Sequence, residues 1–181
     1  VDVMVPMMVG VLKELRTGET DAELTAIVTQ FVCRLTGKQT IYQMLELAEQ
    51  VRRRGGVPRD PLRYKHDYLD RLWEKIEGRV RALEDGRARP EDYLVPGSIA
   101  LLDALRARGL RIFVASGTDE KYAAREAELL GLVPYLDDKV YGAIDDYRNY
   151  SKRLVIGRIM AEHELRPAEL IGFGDGYVEI E

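Results

Sequence analysis

The stretch RIFVASGTDEKYAAREAELL, residues 111 to 130, decides the fold. Arg111 to Ala115 is a short, almost wholly apolar run, which fits a strand covered on both faces. Ser116-Gly117-Thr118-Asp119 then turns the chain into a helical pattern from Glu120 to Leu130. Ahead of it, Ile99, Leu102 and Leu105 form a helix face, and Gly109 suits its C-terminal cap. Beyond it lie two more candidate strands, Lys139 to Gly142 and Glu169 to Phe173. Between them, Tyr150 to Glu164 is a helix with Val155, Ile156, Ile159 and Met160 on one side. Strands alternating with helices over short connections predict a parallel, doubly wound α/β sheet.

The first 95 residues show no strand pattern. A helix is expected from Val5 to Leu15. Thr20-Asp21-Ala22-Glu23 is a capping box that opens a second helix ending near Leu35. Thr40 to Gln43 has the same form and leads into Ile41, Met44, Leu45, Ala48 and Val51 at helical spacing. After Gly55-Gly56 and two prolines comes a long helix whose apolar line is Leu69, Trp73, Ile76, Val80 and Leu83. Arg63, Tyr64 and Lys65 read as its solvated face. The expected division is a helical domain over residues 1–95 and an α/β core over 96–181.

The totals exclude several function classes. The 181 residues carry 31 acidic and 27 basic side chains, a formal net charge of -4, so nothing global points to nucleic acid or an anionic membrane. The basic run Arg52-Arg53-Arg54 closes a helix, where arginines satisfy the helix dipole. Hydrophobic content of 46% supports a real core. No apolar stretch reaches membrane-spanning length. Val1 to Leu12 is mostly apolar but lacks a basic start and a small-residue cleavage site, so the expectation is a cytoplasmic protein without a signal peptide. Cys33 is the only cysteine and is expected in the core; with His66 and His163 the only histidines, a His/Cys zinc site has too few ligands. Oligomeric state is left open.

Three features fall where an α/β sheet places its ligand crevice, beyond the carboxyl ends of the strands. Ser116, Gly117 and Thr118 offer a hydroxyl and backbone N–H groups at a helix start, an anion cradle; the plainer reading is a helix cap. Lys152 begins a helix, where its charge opposes the helix dipole and favours an anionic partner, or simply faces solvent. Asp175 stands on the turn Gly174-Asp175-Gly176 after LIGF, with Glu179 four residues on. Two carboxylates suit a hard cation such as Mg2+, although a turn aspartate often bonds its own backbone. A hydroxyl, a lysine and a carboxylate in this order favour phosphate and a metal together.

On these residues the chain resembles the haloacid dehalogenase-like hydrolase superfamily, in its phosphatase or phosphomutase branch with an all-helical cap. VASGT matches a strand that ends on the phosphate-binding Ser116, Ser151-Lys152 matches the helix-borne lysine, and IGFGDGYVEIE matches the magnesium-binding turn through Asp175 and Glu179. EAELLGL (126–132) and VYGAIDD (140–146) share the family's look. The match is good over 96–181 and loose over the first 95. It implies a Rossmann-like core, an inserted helical cap, Mg2+ as cofactor, and hydrolysis of a small phosphorylated metabolite, such as a sugar phosphate, through an aspartyl-phosphate. Catalytic roles fall to Ser116 and Lys152, phosphate binding to Ser116, Gly117, Thr118 and Lys152, and metal binding to Asp175 and Glu179. In the cap, Thr40 and Gln43 are candidates for substrate contact, against the capping box that also explains them.

One part of the family pattern is absent. Its nucleophile is the first Asp of an Asp-x-Asp motif on the first core strand, and these residues contain no such motif. Without that strand, its neighbours keep unpaired backbone edges inside a core, which is costly. The expectation is that the first and last core strands lie outside these residues, in a longer natural chain, and that the 181 residues alone are inactive. Alternatives are a phosphomutase of the β-phosphoglucomutase kind, a dehalogenase (disfavoured by Asp175 with Glu179), and a non-catalytic relative that binds a phosphorylated ligand or a protein.

Overall fold

The computed structural model describes residues 2–144 and 151–174. The described residues divide into two compact units, 2–76 and 77–174, and the division falls inside one long helix.

The first unit is helical, as expected. Its elements are α1 (Met4–Lys13), α2 (Asp21–Arg34), α3 (Thr40–Arg53) and the first part of α4 (Pro61–Glu84). Met4, Val5, Met7, Met8 and Leu12 of α1, Leu24, Val28, Phe31 and Val32 of α2, and Ile41, Met44, Leu47, Ala48 and Val51 of α3 are buried. Each set repeats at helical spacing, so three amphipathic faces close on one another. α1 packs on α2, and α3 packs on both. Burial of this kind stabilises by about 25 cal/mol for each Å2 of apolar surface removed from water. The predicted capping box at α2 is present: Glu23 N–H donates to Thr20 Oγ1 at 3.3 Å, and Thr20 N–H donates to Glu23 Oε2 at 2.8 Å.

Three expectations in this unit are corrected. Thr40 and Gln43 make no capping box; the N-cap of α3 is Gln39, which makes no side-chain capping bond. Gln43 instead turns back and donates from Nε2 to the Leu35 carbonyl at 3.2 Å. Tyr64 and Lys65 are buried, not solvated. The Arg59 N–H donates to Tyr64 Oη at 3.1 Å and the Arg59 guanidinium lies over the Tyr64 ring, so the chain before α4 folds down onto it. Cys33 is exposed, because α2 turns Val28, Phe31 and Val32 inward and leaves position 33 on the outer side.

The arginine run does close a helix. Arg54 Nη1 donates to the Gln50 carbonyl at 3.1 Å, within the last turn of α3. Its guanidinium also grips Glu19, Nε to Oε2 at 2.7 Å and Nη2 to Oε1 at 2.6 Å. Arg52 and Arg53 pair with Glu49.

The second unit is α/β. It holds α5 (Ser98–Ala107), β1 (Ala115–Asp119), α6 (Glu120–Leu129), β2 (Tyr141–Ala143) and α7 (Lys152–Glu162). β1 and β2 pair in parallel, with Ala115 opposite Tyr141 and Asp119 opposite Ala143. Strand alternation sends successive β2 residues to opposite faces. Val140 packs with Ala123 and Ala127 of α6. Tyr141 and Ala143 pack with Val155 and Ile159 of α7, and with Phe113 and Leu165. A helix therefore covers each face of the sheet, which is the α/β layering the sequence implied. Gly109 closes α5 as expected, at φ 71°, with its N–H on the Arg106 carbonyl and the Leu110 N–H on the Leu105 carbonyl.

Two strand boundaries are corrected. The run 111–115 was expected as the strand, but β1 begins at Ala115 and continues through Ser116, Gly117 and Thr118. Asp137 explains the shift. Its carboxylate accepts the Ile112 N–H at 2.6 Å and Arg106 Nη1 at 2.5 Å, and its own N–H donates to the Ile112 carbonyl at 3.0 Å. Ile112 is thus tied to a loop rather than to a strand. The second correction concerns 169–173. Pro167–Glu169 forms a 3-10 turn, with Glu169 accepting from the Arg166 N–H at 2.8 Å. Ile171 and Phe173 are 77% and 88% exposed. An apolar run becomes a strand only where a neighbouring strand supplies backbone partners, and among the described residues the sheet contains only β1 and β2.

Candidate active site

Ser116, Gly117 and Thr118 are the second to fourth residues of β1, which leads directly into α6. Ser116 and Gly117 are half-buried and Thr118 is exposed. Ser116 is not the cap of α6. That position is Asp119, which makes no side-chain capping bond. Ser116 Oγ instead accepts the Thr118 N–H at 3.1 Å. One amide of the expected cradle is therefore engaged by the hydroxyl beside it.

Gly142 shows how tightly this edge is built. A Cβ at position 142 would overlap the backbone N and Cα of Glu120. Only glycine lets β2 run this close to the start of α6. Lys139 Nζ, 3.3 Å from Glu120 Oε1, ties the same two segments.

Lys152 is the first residue of α7, as expected, and is half-buried. Ser151 caps the helix, its Oγ accepting the Leu154 N–H at 3.1 Å. β1 and β2 are parallel and α7 follows β2, so the start of α7 belongs to the strand-end edge that carries Ser116. α7 also packs against β1. Asp175 and Glu179, the expected metal ligands, lie outside the described residues. Thr40 and Gln43 belong to the helical unit. Gln43 is buried, and its Oε1 has no hydrogen-bond partner.

A comparison with family models decides the relationship. The model for haloacid dehalogenase-like hydrolases matches residues 28–181. The chain belongs to that family. Curated proteins and solved structures gave no match. Membership establishes a hydrolase at the level of the superfamily and an α/β core. It also extends across most of the helical unit, where the residues themselves carried only a loose resemblance. No helix among the described residues is long and apolar enough to cross a membrane.

The sequence reading missed one cluster in the haloacid dehalogenase-like core. Asp138, Glu162 and His163 bring ligand-type atoms within 4.8 Å of one another. Asp138 Oδ2 accepts from the Tyr141 hydroxyl and lies 3.4 Å from His163 Nε2. Glu162 Oε2 lies 3.3 Å from the same hydroxyl, and Glu162 Oε1 accepts from Arg158 Nε at 2.6 Å. The Tyr141 hydroxyl, with the short contact from Asp138 and the backbone N–H of Lys139 beside it, holds the Asp138 carboxyl below the usual carboxylate range. Burial, and then Asp138, push the Tyr141 phenol well above its ordinary value. The only local signal in the sequence is the adjacent pair Glu162-His163, and nothing local ties it to Asp138, 24 and 25 residues earlier.

Proposed function

We propose that this haloacid dehalogenase-like protein is a Mg2+-dependent phosphatase acting on a small phosphorylated metabolite such as a sugar phosphate. What supports the reading is that Ser116 lies in β1, just ahead of α6, and that Lys152 opens the helix following the parallel strand β2. A phosphoryl group brings up to three anionic oxygens. Ser116 supplies a hydroxyl donor and Lys152 a point charge, a pair suited to holding those oxygens as charge shifts. The Gly117 and Thr118 backbone lies beside them at the start of α6, where the helix end favours an anion.

Asp175 and Glu179 would hold the metal; both are hard oxygen donors, the chemistry Mg2+ requires. When bound, it offsets repulsion between a carboxylate and the phosphate. The reading also requires a nucleophilic aspartate on a strand beside β1. The helical residues 1–95 would form the cap that excludes water from the substrate, with Thr40 and Gln43 as candidate substrate contacts.

Two measurements test the reading. Calorimetry with a sugar phosphate and Mg2+ should show binding that falls at least tenfold in Lys152→Ala. Hydrolysis of a panel of sugar phosphates should appear when the protein carries an Asp-x-Asp strand ahead of Val1, and should vanish in Asp175→Asn. Full turnover in Asp175→Asn would remove that residue from the metal site. Binding without hydrolysis in a protein that carries no such strand would favour the second reading, a non-catalytic phosphate-binding relative.

A further inference from the structure

We propose that Asp138, Glu162 and His163 form a second metal site, selective for a borderline divalent ion such as Zn2+, at the amino end of β2 and the carboxyl end of α7. It is separate from the phosphate site proposed above, which belongs to the opposite end of the same strands.

Four observations converge on it. First, the donors come from two segments. Asp138 lies in the loop before β2, Glu162 is the last residue of α7, and His163 is its C-cap. Their ligand atoms fall within 4.8 Å of one another.

Second, the spacing suits shared coordination better than hydrogen bonding. His163 Nε2 is 3.4 Å from Asp138 Oδ2. That is long for N–H···O, which centres near about 2.9–3.0 Å. Two tetrahedral ligands about 2.0–2.1 Å from one zinc ion stand about 3.4 Å apart.

Third, the protons do not balance. The buried Tyr141 hydroxyl faces both Asp138 Oδ2 and Glu162 Oε2. A phenol carries one proton, so one of the two carboxylate oxygens meets it without a hydrogen between them. A cation among these three oxygens removes the deficit. The carboxyl end of α7 adds partial negative charge at the same place.

Fourth, the neighbouring cationic residues engage the outer carboxylate oxygens and not the inner ones. Arg158 uses Glu162 Oε1, and the Lys139 N–H, 2.7 Å away, uses Asp138 Oδ1. Lys139 Nζ pairs with Glu120. Glu162 Oε2 and Asp138 Oδ2 both face the Tyr141 hydroxyl, and Asp138 Oδ2 also faces His163. Arg158 then stands outside the ligand set and steadies Glu162, as outer-shell partners do. Glu162 is exposed, so a rotation of its side chain closes the remaining distance. One imidazole with two carboxylates prefers zinc-like ions to Mg2+, and three protein ligands leave a fourth position for water.

The test uses the whole chain, stripped with chelator, in the wild type and in Asp175→Asn. Calorimetric titration with Zn2+ should show one equivalent bound in Asp175→Asn, and Co2+ should give the intense visible bands of a four- or five-coordinate ion. Glu162→Gln and His163→Gln should each weaken Zn2+ at least tenfold. Glu162 is exposed, so its variant is expected to keep the wild-type far-UV spectrum and serves if His163→Gln fails to fold. Absence of uptake in Asp175→Asn, or unchanged affinity in folded Glu162→Gln, overturns the proposal. Uptake in the wild type alone assigns the ion to Asp175, which overturns this site and supports the phosphatase metal site.

Discussion

Arg54 and Glu19, 35 residues apart, form a bidentate ion pair with both hydrogen bonds under 2.8 Å. It joins the end of α3 to the residue just before the N-cap of α2, and both side chains are largely shielded from water. The Arg54 and Thr17 hydrogen bonds bring the Glu19 carboxyl down to about 2 from an ordinary 4.5. Because the folded value is the lower one, the pair contributes stability above the unfolded value. That contribution fades as pH falls from 4.5 through about 2. Melting temperatures of wild type and Glu19→Gln should therefore differ near pH 6 and converge toward pH 2. A charge-assisted pair of this kind is expected to contribute about 1.5–3 kcal/mol. A constant gap across that pH range would contradict the assignment.

Gly142 sits where β2 passes the start of α6. Gly142→Ala must displace backbone rather than a flexible side chain. Its cost is expected at about 1–3 kcal/mol, read from urea unfolding of the second unit. A neutral result would show that the two segments are farther apart than described.

Leu12 and Phe173 make a matched contrast. Leu12 is fully buried and Phe173 is 88% exposed. Leu12→Ala should cost about 2–5 kcal/mol. Phe173→Ala should stay within about 0.5 kcal/mol. A large loss at Phe173 would restore the buried strand expected from LIGF.

Ser116 and Lys152 carry the phosphate reading. In protein that shows sugar-phosphate hydrolysis, Ser116→Ala and Lys152→Ala should each lower kcat by about 100-fold or more. The loss at Lys152 should be partly recovered in Lys152→Arg, which keeps the charge. A fall in stability without a change in kcat would make both residues structural.

How far the sequence was legible differed by feature. The helices of the first unit were legible because each buries one face, and that face is written at a spacing the chain alone imposes. The Thr20 capping box was legible for the same reason: its partners are three residues apart. Gln43 was not, since its bond runs to the Leu35 carbonyl, set by how α2 and α3 meet. Tyr64 looked solvated because its cover comes from the chain folding back at Arg59. The order of residue types at Ser116, Lys152, Asp175 and Glu179 carried the resemblance, and the family model matches residues 28–181. The cluster of Asp138, Glu162 and His163 was illegible, since no local rule joins a loop to the far end of a helix.

The sequence by itself determined the helical first half, the alternation of strand and helix after it, and the family. Those follow from periodicity and residue chemistry, which act over a few positions. Tertiary structure alone decided that the strand runs from Ala115 to Asp119, through Ser116. It also decided that Ile171 and Phe173 face water, and that a histidine meets two carboxylates around one phenolic proton. Each depends on backbone or side-chain partners distant in sequence, and hydrogen bonding selects those partners only once the chain has closed on itself.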